Sequence, residues 1–221
     1  MEKECKVKKS ILYVAMLVLS GSSVHFHNPV THLKNAYAAQ TINLDERISQ
    51  LEEKVSKDEA QLVRDYLELS DLYLKRGDSS GVEDALKRCV RLAPNHWGCN
   101  NNLGAVYIAS RKFDEAEKIL LKALELDEGM RHYTYYNLAN LYFKQDDFNK
   151  AVEYSLYSIQ HKPNFVLPHL TMGGSYYRLG EFEKARASFN RTLAIEPSNE
   201  EAKNFLNKLD KEKRLPNQKT D

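Results

Sequence analysis

Apolar and small residues recur at fixed distances from a tyrosine along most of this chain. The stretches LELSDLYLKRGD, NNLGAVYIASRKFDEA, YNLANLYFKQDDFNKA and TMGGSYYRLGEFEKA bring four tyrosines into one register, with spacings of 34, 35 and 34 residues: Tyr73, Tyr107, Tyr142 and Tyr176. A Leu or Met lies four positions before each tyrosine, a small residue follows it directly, and Val or Ala lies nine positions after the tyrosine. Internal periods of this length are typical of repeat architectures, so the pattern predicts one unit in four copies.

Each copy is predicted to contain two amphipathic helices. In the third copy the i, i+3, i+4, i+7 spacing of a helix face occurs twice, first at Tyr135, Leu138, Ala139 and Tyr142, then at Ala151, Tyr154, Ser155 and Ser158. Proline follows the second helix in three copies, where it ends a helix without breaking an internal hydrogen bond: Pro94, Pro163 and Pro197, with Glu128 in the corresponding place. The unit is therefore helix, turn, helix.

The turn between the two helices differs among the copies. Gly77 and Gly180 lie where a left-handed backbone after a helix suits glycine. Arg111 and Asp146 occupy the same place in the other two copies. There we expect a connection that is slightly strained or differently shaped.

These jointly recurring positions resemble the tetratricopeptide repeat family. Its signature, L-G-x2-Y, then A-x3-F, then P, over about 34 residues, matches this chain in four repeats, 63–96, 97–130, 132–165 and 166–199, with Arg131 as a one-residue insertion. The resemblance implies an all-α fold, a right-handed superhelical solenoid of helix–turn–helix repeats. The chain departs from the family where a Trp is usual, since that position holds Tyr66, Asn100, Tyr135 and His169. In the first repeat DSSGVEDA replaces the usual aromatic residue of the turn, so its second helix is expected to start late.

Composition argues against several classes of function. Nine Gly and six Pro are too few for a turn-rich all-β fold. Thirty-two basic and 31 acidic residues give a net charge of +1, which provides no electrostatic footprint for nucleic acid. The chain has neither a glycine-rich phosphate loop after a strand nor a G-x-S-x-G motif, and no set of nucleophile, base and orienting group suggests itself. We therefore expect no enzyme and no cofactor.

Histidines raise the question of a metal site. His25, His27 and His32 form a tract, but they lie in a segment expected to be removed or to serve as a linker, with no Cys or carboxylate nearby. His96 and His132 fall in predicted loops, and His169 falls on a helix face. These positions favour surface and packing roles, so we expect no metal site.

Segments flank the repeats on both sides. After the last repeat, Ala202, Phe205, Leu206 and Leu209 have helical spacing, and a stack of repeats needs a polar-backed cap at its end. We expect a capping helix from Glu200 to Lys213 and a frayed tail within 200–221. Before the first repeat, residues 39–62 are predicted to form a linker and a short helix, with Ile48, Leu51, Val55 and Leu62 near heptad spacing. That helix could fold back on the first repeat, lie free, or mediate self-association as a short coiled coil.

The N-terminus has the pattern of an export signal. Lys-rich MEKECKVKKS precedes an apolar run from Ile11 to Leu19, which is shorter than a membrane-spanning helix requires. The AYA at 36–38 matches the small-x-small cleavage preference and would make Ala39 the first mature residue, although it lies well beyond the run. A cut near Ser22 or Ser23, a retained anchor and a cytoplasmic start remain alternatives. Residues 1–38 are thus predicted to be a signal peptide or a membrane anchor, and the protein to be periplasmic or otherwise extracytoplasmic, on the inner membrane if the anchor is retained.

Two cysteines remain if the signal is removed. Cys89 and Cys99 could form a disulfide in an oxidising compartment, or they could pack as two small buried thiols. Their spacing is neither a zinc spacing nor a redox-motif spacing.

The resemblance implies a binding groove lined by the first helix of each repeat. Carried over residue by residue, the groove would include Asn101, Asn102 and Ile108 in the second repeat, Tyr133, Tyr136, Asn137, Asn140, Phe143 and Lys144 in the third, and Leu170, Tyr177 and Arg178 in the fourth. Amides can hold an extended peptide backbone, and aromatic side chains give rigid apolar area; equally, these residues could serve only packing and solubility. Some family members clamp a partner's terminal carboxylate, but those positions hold Leu67, Asp71, Asn102, Leu167 and Thr171. Only one matches, so this clamp is not expected.

Together these features predict a non-enzymatic scaffold that binds a peptide or protein segment in the concave groove. Proteins of envelope assembly or of a secretion apparatus would be natural partners of an exported scaffold. The alternative is a structural homo-oligomer that assembles through the N-terminal helix or the convex face. Neither hypothesis involves nucleic acid, and the membrane enters only through an uncleaved N-terminal segment.

Overall fold

A computed structural model of the chain describes residues 44–51, 59–126 and 129–214, and all ten regular elements in these ranges are α-helices. Their bounds are α1 44–51, α2 Glu59–Arg76, α3 Ser79–Leu92, α4 Trp97–Ala109, α5 Phe113–Leu126, α6 Arg131–Lys144, α7 Phe148–His161, α8 Val166–Arg178, α9 Phe182–Ile195 and α10 Glu200–Arg214. Each predicted repeat contains two of the helices α2–α9. The predicted export signal lies outside the described residues, as does Val55 of the expected heptad.

The helices fall into two compact units that divide after Ala109. In the N-terminal unit, α3 packs on both α2 and α4. In the C-terminal unit, consecutive helices from α5 to α10 pack on one another, and α6 also packs on α8, the next first helix along the chain. The contact between α6 and α8 places two first helices side by side, as a stack of repeats requires.

The helix before the first repeat folds back on that repeat. Ile48 and Leu51 of α1 are buried in a core cluster with residues of α2, α3 and α4. Arg47 donates two hydrogen bonds to Glu68 of α2, at 3.0 and 3.3 Å. The apolar face that could have formed a coiled coil is therefore occupied within the chain, along the described part of that helix.

The second helix of the first repeat starts in the same register as the others, so the expected late start is wrong. Ser79 opens α3 at the position equivalent to Phe113, Phe148 and Phe182, which open α5, α7 and α9. The start of α3 is capped by the carboxylate of Asp78, which accepts a hydrogen bond from the Gly81 amide at 2.9 Å. Asp147 caps α7 in the same way, accepting from the Lys150 amide at 3.1 Å, so this cap occurs both with and without an aromatic first residue. The Gly81 amide, and then Arg76, hold the pKa of Asp78 below its ordinary value.

All four turns between paired helices place the equivalent residue in the left-handed backbone region. The φ angles are +77° at Gly77, +58° at Arg111, +61° at Asp146 and +76° at Gly180. The expectation of a differently shaped connection at Arg111 and Asp146 is therefore wrong, whereas the expected strain follows from the geometry. A side chain in the left-handed region costs about 1–2 kcal/mol.

Two positions that replace the family's usual Trp make the same hydrogen bond. Asn100 Nδ2 donates to the carbonyl of Pro94 at 3.0 Å, and His169 Nε2 donates to the carbonyl of Pro163 at 2.9 Å. Each ties a first helix to the proline that ends the preceding helix pair. The other polar atom of each side chain, Asn100 Oδ1 and His169 Nδ1, is buried without a hydrogen-bond partner.

Small residues allow close packing between first and second helices. Gly173 of α8 faces the ring of Phe189 in α9, and a Cβ at Gly173 would lie 2.7 Å from that ring. Phe189 in turn stacks on Phe205 of α10, with ring centroids 4.8 Å apart. Part of the contact between the capping helix and the last repeat is thus made by the Phe189 ring, for which only a glycine at position 173 leaves room.

Candidate peptide-binding site

The predicted groove residues differ in how much surface they present. In the C-terminal unit, Lys144 and Arg178 are exposed and the other seven are half-buried: Tyr133, Tyr136, Asn137, Asn140, Phe143, Leu170 and Tyr177. We call these nine residues the inner face. In the N-terminal unit Asn102 is half-buried, but Asn101 and Ile108 are buried, each with 5% of its surface exposed. Asn101 and Ile108 therefore offer almost no side-chain surface to a ligand, which corrects their assignment to the groove.

The side-chain amide of Asn102, which was expected to be available to a peptide backbone, makes a hydrogen bond within the chain. Its Oδ1 accepts a hydrogen bond from Nδ2 of Asn101 at 3.3 Å. The pair links a buried amide to a half-buried one within α4. Asn102 is the one predicted groove residue of the N-terminal unit that keeps appreciable surface.

An aromatic cluster forms the start of the inner face. The rings of Tyr133 and Tyr136 on α6 meet the buried ring of Phe165, with centroid distances of 5.2 and 5.5 Å. The ammonium of Lys162 lies 5.5 Å from the Tyr133 ring centroid and 5.8 Å from that of Phe165. These contacts fix the tyrosines in place, and a rigid aromatic surface loses little entropy when it binds a partner.

The other end of α6 packs against α8 through a glycine. A Cβ at Gly174 would lie 3.3 Å from the ring of Phe143, which itself packs edge-on against Phe148 at 5.6 Å. Arg178 pairs with Asp146 at 2.9 Å and stacks over the Phe148 ring at 4.5 Å. Arg178 is therefore held against the turn by its own chain, even though its side chain is exposed.

The capping helix contributes to this region, which the sequence pattern did not predict. Leu170 and Tyr177 of α8 pack against the core cluster that includes Phe205 and Leu206 of α10. The rings of Tyr177 and Phe205 are 5.5 Å apart. Two of the predicted groove side chains are thus partly covered by α10, and α10 borders the inner face.

The electrostatics of the inner face connect α6 with α10. Burial first, and then the charge of Glu201, raise the pKa of the Tyr136 hydroxyl above its ordinary value. Burial also raises the pKa of Glu201, while Lys144 and Lys208 act in the opposite direction. Tyr136 is half-buried and Glu201 is exposed, so solvent still reaches both side chains. Phenol, carboxylate and ammonium groups from two helices therefore influence one another on the inner face.

A second perturbed tyrosine belongs to the repeat framework instead. Tyr142 is one of the four register tyrosines, and its hydroxyl donates a short hydrogen bond to Glu117 of α5. Burial and this bond raise its pKa. Its ring stacks on Tyr154 at 5.1 Å, so it links three helices and is not available to a ligand.

Two cysteines of the N-terminal unit lie in bonding geometry. The structure joins Cys89 of α3 to Cys99 of α4, with their Cα atoms 5.7 Å apart and both side chains fully buried. This separation lies within the usual range for a disulfide. The disulfide in the protein as it folds in its own compartment stays a prediction.

Neither a metal cluster nor a membrane-spanning helix occurs in the described ranges. Among residues 44–51, 59–126 and 129–214, no group of three or more His, Cys, Asp and Glu side chains is placed to hold a metal ion. The helices in these ranges include none with the length and apolar character needed to cross a membrane.

The repeats of this chain are similar in sequence to those of known proteins. Two family models, both for the tetratricopeptide repeat, match residues 99–156 and 166–199. Among curated proteins, BBSome complex member BBS4 of Bos taurus is 29% identical over 127 residues, a match covering 57% of this chain and 24% of that protein. The chain spans between 18% and 24% of the length of the first three curated relatives it matches.

Solved structures show the same fold. The crystal structure of MamA is 22% identical, with a TM-score of 0.60, over 78% of this chain and 97% of that one. The first repeat domain of Spaghetti (RPAP3), bound to the HSP90 peptide SRMEEVD, is 24% identical, with a TM-score of 0.51, over 54% of this chain and 94% of that one. At these identities the likeness concerns the fold alone, which is all-α and built from superhelically stacked helix pairs.

Proposed function

We propose that this chain, which belongs to the tetratricopeptide repeat family, is a scaffold that binds a peptide or an extended protein segment on its inner face. Members of this family mediate protein–protein interactions and are generally not catalytic. The observation that carries this proposal is the row of half-buried aromatic and amide side chains on α6. Tyr133 and Tyr136 are fixed against Phe165, and Asn137 and Asn140 lie beside them on the same helix. Such a row offers apolar area together with donors and acceptors for a peptide backbone.

The partner is not expected to be the ligand of the RPAP3 domain. That domain holds a peptide of HSP90, whereas four of the five clamp positions of this chain hold Leu67, Asp71, Leu167 and Thr171. Leu and Thr cannot form the charged hydrogen bonds of a carboxylate clamp, and Asp71 would repel a carboxylate.

A paired substitution tests the inner face directly. Tyr136→Ala with Asn140→Ala should lose a partner in an in-cell crosslinking pull-down read by mass spectrometry. The matched control is Tyr157→Ala with Gln160→Ala, which removes an exposed tyrosine and an exposed amide from α7, and it should keep that partner. Far-UV circular dichroism of both variants checks that the helices remain. The same partners in wild type and in both variants would refute binding on the inner face.

The proposed setting of this scaffold is the cell envelope. The basic and apolar N-terminal pattern supports export, and envelope-assembly or secretion proteins are then the natural partners. Cell fractionation followed by N-terminal sequencing tests this part separately. A mature chain that starts at Ala39 is the expected result, and a cytoplasmic chain that starts at Met1 would contradict export.

Self-association through the outer surface is the second candidate function. Leu121 of α5 and Leu156 of α7 occupy equivalent positions of consecutive repeats, and 41% and 42% of their surfaces are exposed. Exposed apolar residues repeated in register favour an interface. Light scattering on Leu121→Glu with Leu156→Glu should show dissociation if this surface joins copies of the chain, and an unchanged mass counts against it.

A further inference from the structure

Lys162 lies at the edge of the aromatic cluster that starts the inner face. It follows α7 directly, and its side chain is exposed. Its ammonium lies 5.5 Å from the centroid of the Tyr133 ring and 5.8 Å from that of Phe165, close enough for both rings to attract the charge. Because Tyr136 also contacts Phe165, Lys162 borders the two tyrosines that carry the proposed binding surface.

The ammonium of Lys162 is also held from the side of His132. Lys162 Nζ lies 3.5 Å from His132 Nε2, and this nitrogen accepts in the contact because an ammonium can only donate. The buried His132 ring packs on Tyr133 at 4.1 Å and edge-on against Phe165 at 5.5 Å. The carbonyl of His132 accepts a hydrogen bond from the Ser158 hydroxyl of α7 at 2.6 Å. Three packed rings thus keep the charged end of a flexible side chain in one place.

The charge of Lys162 is not balanced by a carboxylate. Two other cations that lie over aromatic rings in the C-terminal unit do have such a partner: Lys150 pairs with Asp147 at 3.7 Å, and Arg178 pairs with Asp146 at 2.9 Å. Among the residues that the structure describes, no carboxylate forms an ion pair with Lys162. A carboxylate from outside the chain can therefore approach this ammonium without displacing an acidic side chain.

The repeat framework does not require this group of residues. The positions equivalent to Lys162 in the other three repeats hold Ala93, Asp127 and Glu196. The positions equivalent to Tyr133, Tyr136 and Phe165 hold no Phe, Tyr or Trp in the other repeats: Arg64, Gly98, Leu167, Leu67, Asn101, Leu170, His96, Met130 and Asn199. A residue needed for stacking recurs in register, as the four register tyrosines do. The single occurrence of this cation and its rings favours a role in binding.

We propose that Lys162 pairs with an acidic side chain of the bound segment, while a neighbouring apolar side chain of that segment packs on Tyr133 and Tyr136. This inference rests on the proposed function and adds the chemistry of the partner. Because the ammonium is already held in place, the ion pair loses less side-chain entropy than one between two flexible side chains. A basic side chain would meet a like charge there. Lys162 follows a second helix and is none of the five clamp positions, so the acidic group can lie within a segment.

Selection from random peptides tests this chemistry. The full chain and the Tyr136→Ala, Asn140→Ala variant are each immobilised and panned with a phage-displayed library of random dodecapeptides. Peptides enriched on the wild type over the variant should carry Asp or Glu close to a large apolar residue. Enriched peptides without an acidic residue would overturn the role of Lys162 and leave the proposed function standing. If no peptide is enriched on the wild type over the variant, both proposals fail.

Affinity measurements on one selected peptide test Lys162 itself. In fluorescence anisotropy at low salt, Lys162→Gln should weaken binding roughly two- to fivefold, as expected for an exposed ion pair. Replacing the acidic residue of the peptide with its amide should weaken binding to the wild type by a similar factor. The same peptide change should have little further effect on Lys162→Gln, since both changes remove one pair. Equal losses with wild type and variant would place the acidic residue elsewhere and overturn the proposal.

Lys150→Gln is the matched control. It removes an exposed lysine of α7 whose ammonium also lies over a tyrosine ring, 4.7 Å from the centroid of Tyr142. This variant should bind the peptide with nearly the affinity of the wild type. Equal effects of Lys150→Gln and Lys162→Gln would reduce the preference to the net charge of the protein and overturn the pairing with Lys162.

A zero-length crosslink tests the pair in the unaltered protein, so the result does not depend on how a variant folds. Carbodiimide joins a carboxylate to an amine that lies in contact with it. Mass spectrometry of the wild type crosslinked to the selected peptide should find the acidic residue of the peptide joined to Lys162. A crosslinked complex in which no peptide is joined to Lys162 would overturn the proposal.

Discussion

The contact between Gly173 and Phe189 allows one substitution to be predicted quantitatively. In Gly173→Ala the new methyl would lie 2.7, 2.9 and 3.0 Å from three atoms of the Phe189 ring. The ring has no free volume to move into, because it is fully buried and stacked on Phe205. Overpacking of this kind costs about 1–3 kcal/mol.

A gain in helix propensity opposes this cost. Replacing Gly with Ala inside a helix stabilises it by roughly 0.5–1 kcal/mol. Gly173→Ala should therefore lower the free energy of unfolding by about 0.5–2 kcal/mol. Gly174→Ala is the matched control, because it has the same propensity gain in the same helix, but its methyl would lie 3.3 Å from the half-buried Phe143 ring.

The difference between the two variants isolates the steric term. Urea unfolding followed by far-UV circular dichroism should place Gly173→Ala below Gly174→Ala by about 1–3 kcal/mol. Phe189→Leu removes the obstructing ring edge, so it should cost less in the Gly173→Ala background than in the wild type, with a coupling of about 1 kcal/mol. Equal stabilities of the two Gly→Ala variants would refute the account of close packing between α8 and α9.

Three further predictions concern the framework. Burial lowers the pKa of His169, so the unfolded chain takes up a proton before the folded chain as pH falls below about 6.5. The free energy of unfolding should therefore decrease in that range. The substitution His169→Asn, which introduces the residue found at the equivalent position 100, should reduce this pH dependence in urea unfolding. Arg111→Gly should raise the free energy of unfolding by roughly 0.5–1 kcal/mol by relieving the left-handed backbone, whereas Arg111→Ala, which keeps that backbone cost, should not. If Cys89 and Cys99 are joined, reductant should lower the free energy of unfolding by about 3 kcal/mol. Thiol titration of the chain without residues 1–38, and so without Cys5, should find no free thiol before reduction, and the variant with Cys89→Ala and Cys99→Ala should not respond to reductant.

The repeat pattern made the fold predictable in advance. The register of Tyr73, Tyr107, Tyr142 and Tyr176 located every helix pair, because each copy of a solenoid must bury the same stripe against its neighbours. The same register correctly aligned Gly77 and Gly180 with Arg111 and Asp146. It did not show that the turn geometry is kept without glycine, because the packing of both helices imposes the positive φ on whatever residue lies there.

The exact surface of the groove was less predictable. Asn101 and Ile108 have the same helical offsets as half-buried residues in other repeats, such as Tyr136 and Phe143, yet both are buried. Aligning the repeats predicts the direction in which a side chain leaves its helix. Whether that side chain is buried depends on the neighbouring residues, which differ from repeat to repeat. The start of α3 is a similar case, since this helix keeps the register of the other second helices without the aromatic residue of the family pattern.

The capping helix shows where this kind of prediction fails. Ala202, Phe205, Leu206 and Leu209 identified α10 by its apolar stripe, and a stripe reveals only which side of a helix is buried. Glu201 and Lys208 border that stripe and would ordinarily count as solvated surface. The contact of Phe205 with Tyr177 of α8 nevertheless places the capping helix beside the inner face. The helix that ends a stack of repeats can therefore add to a binding surface through contacts that no single repeat contains.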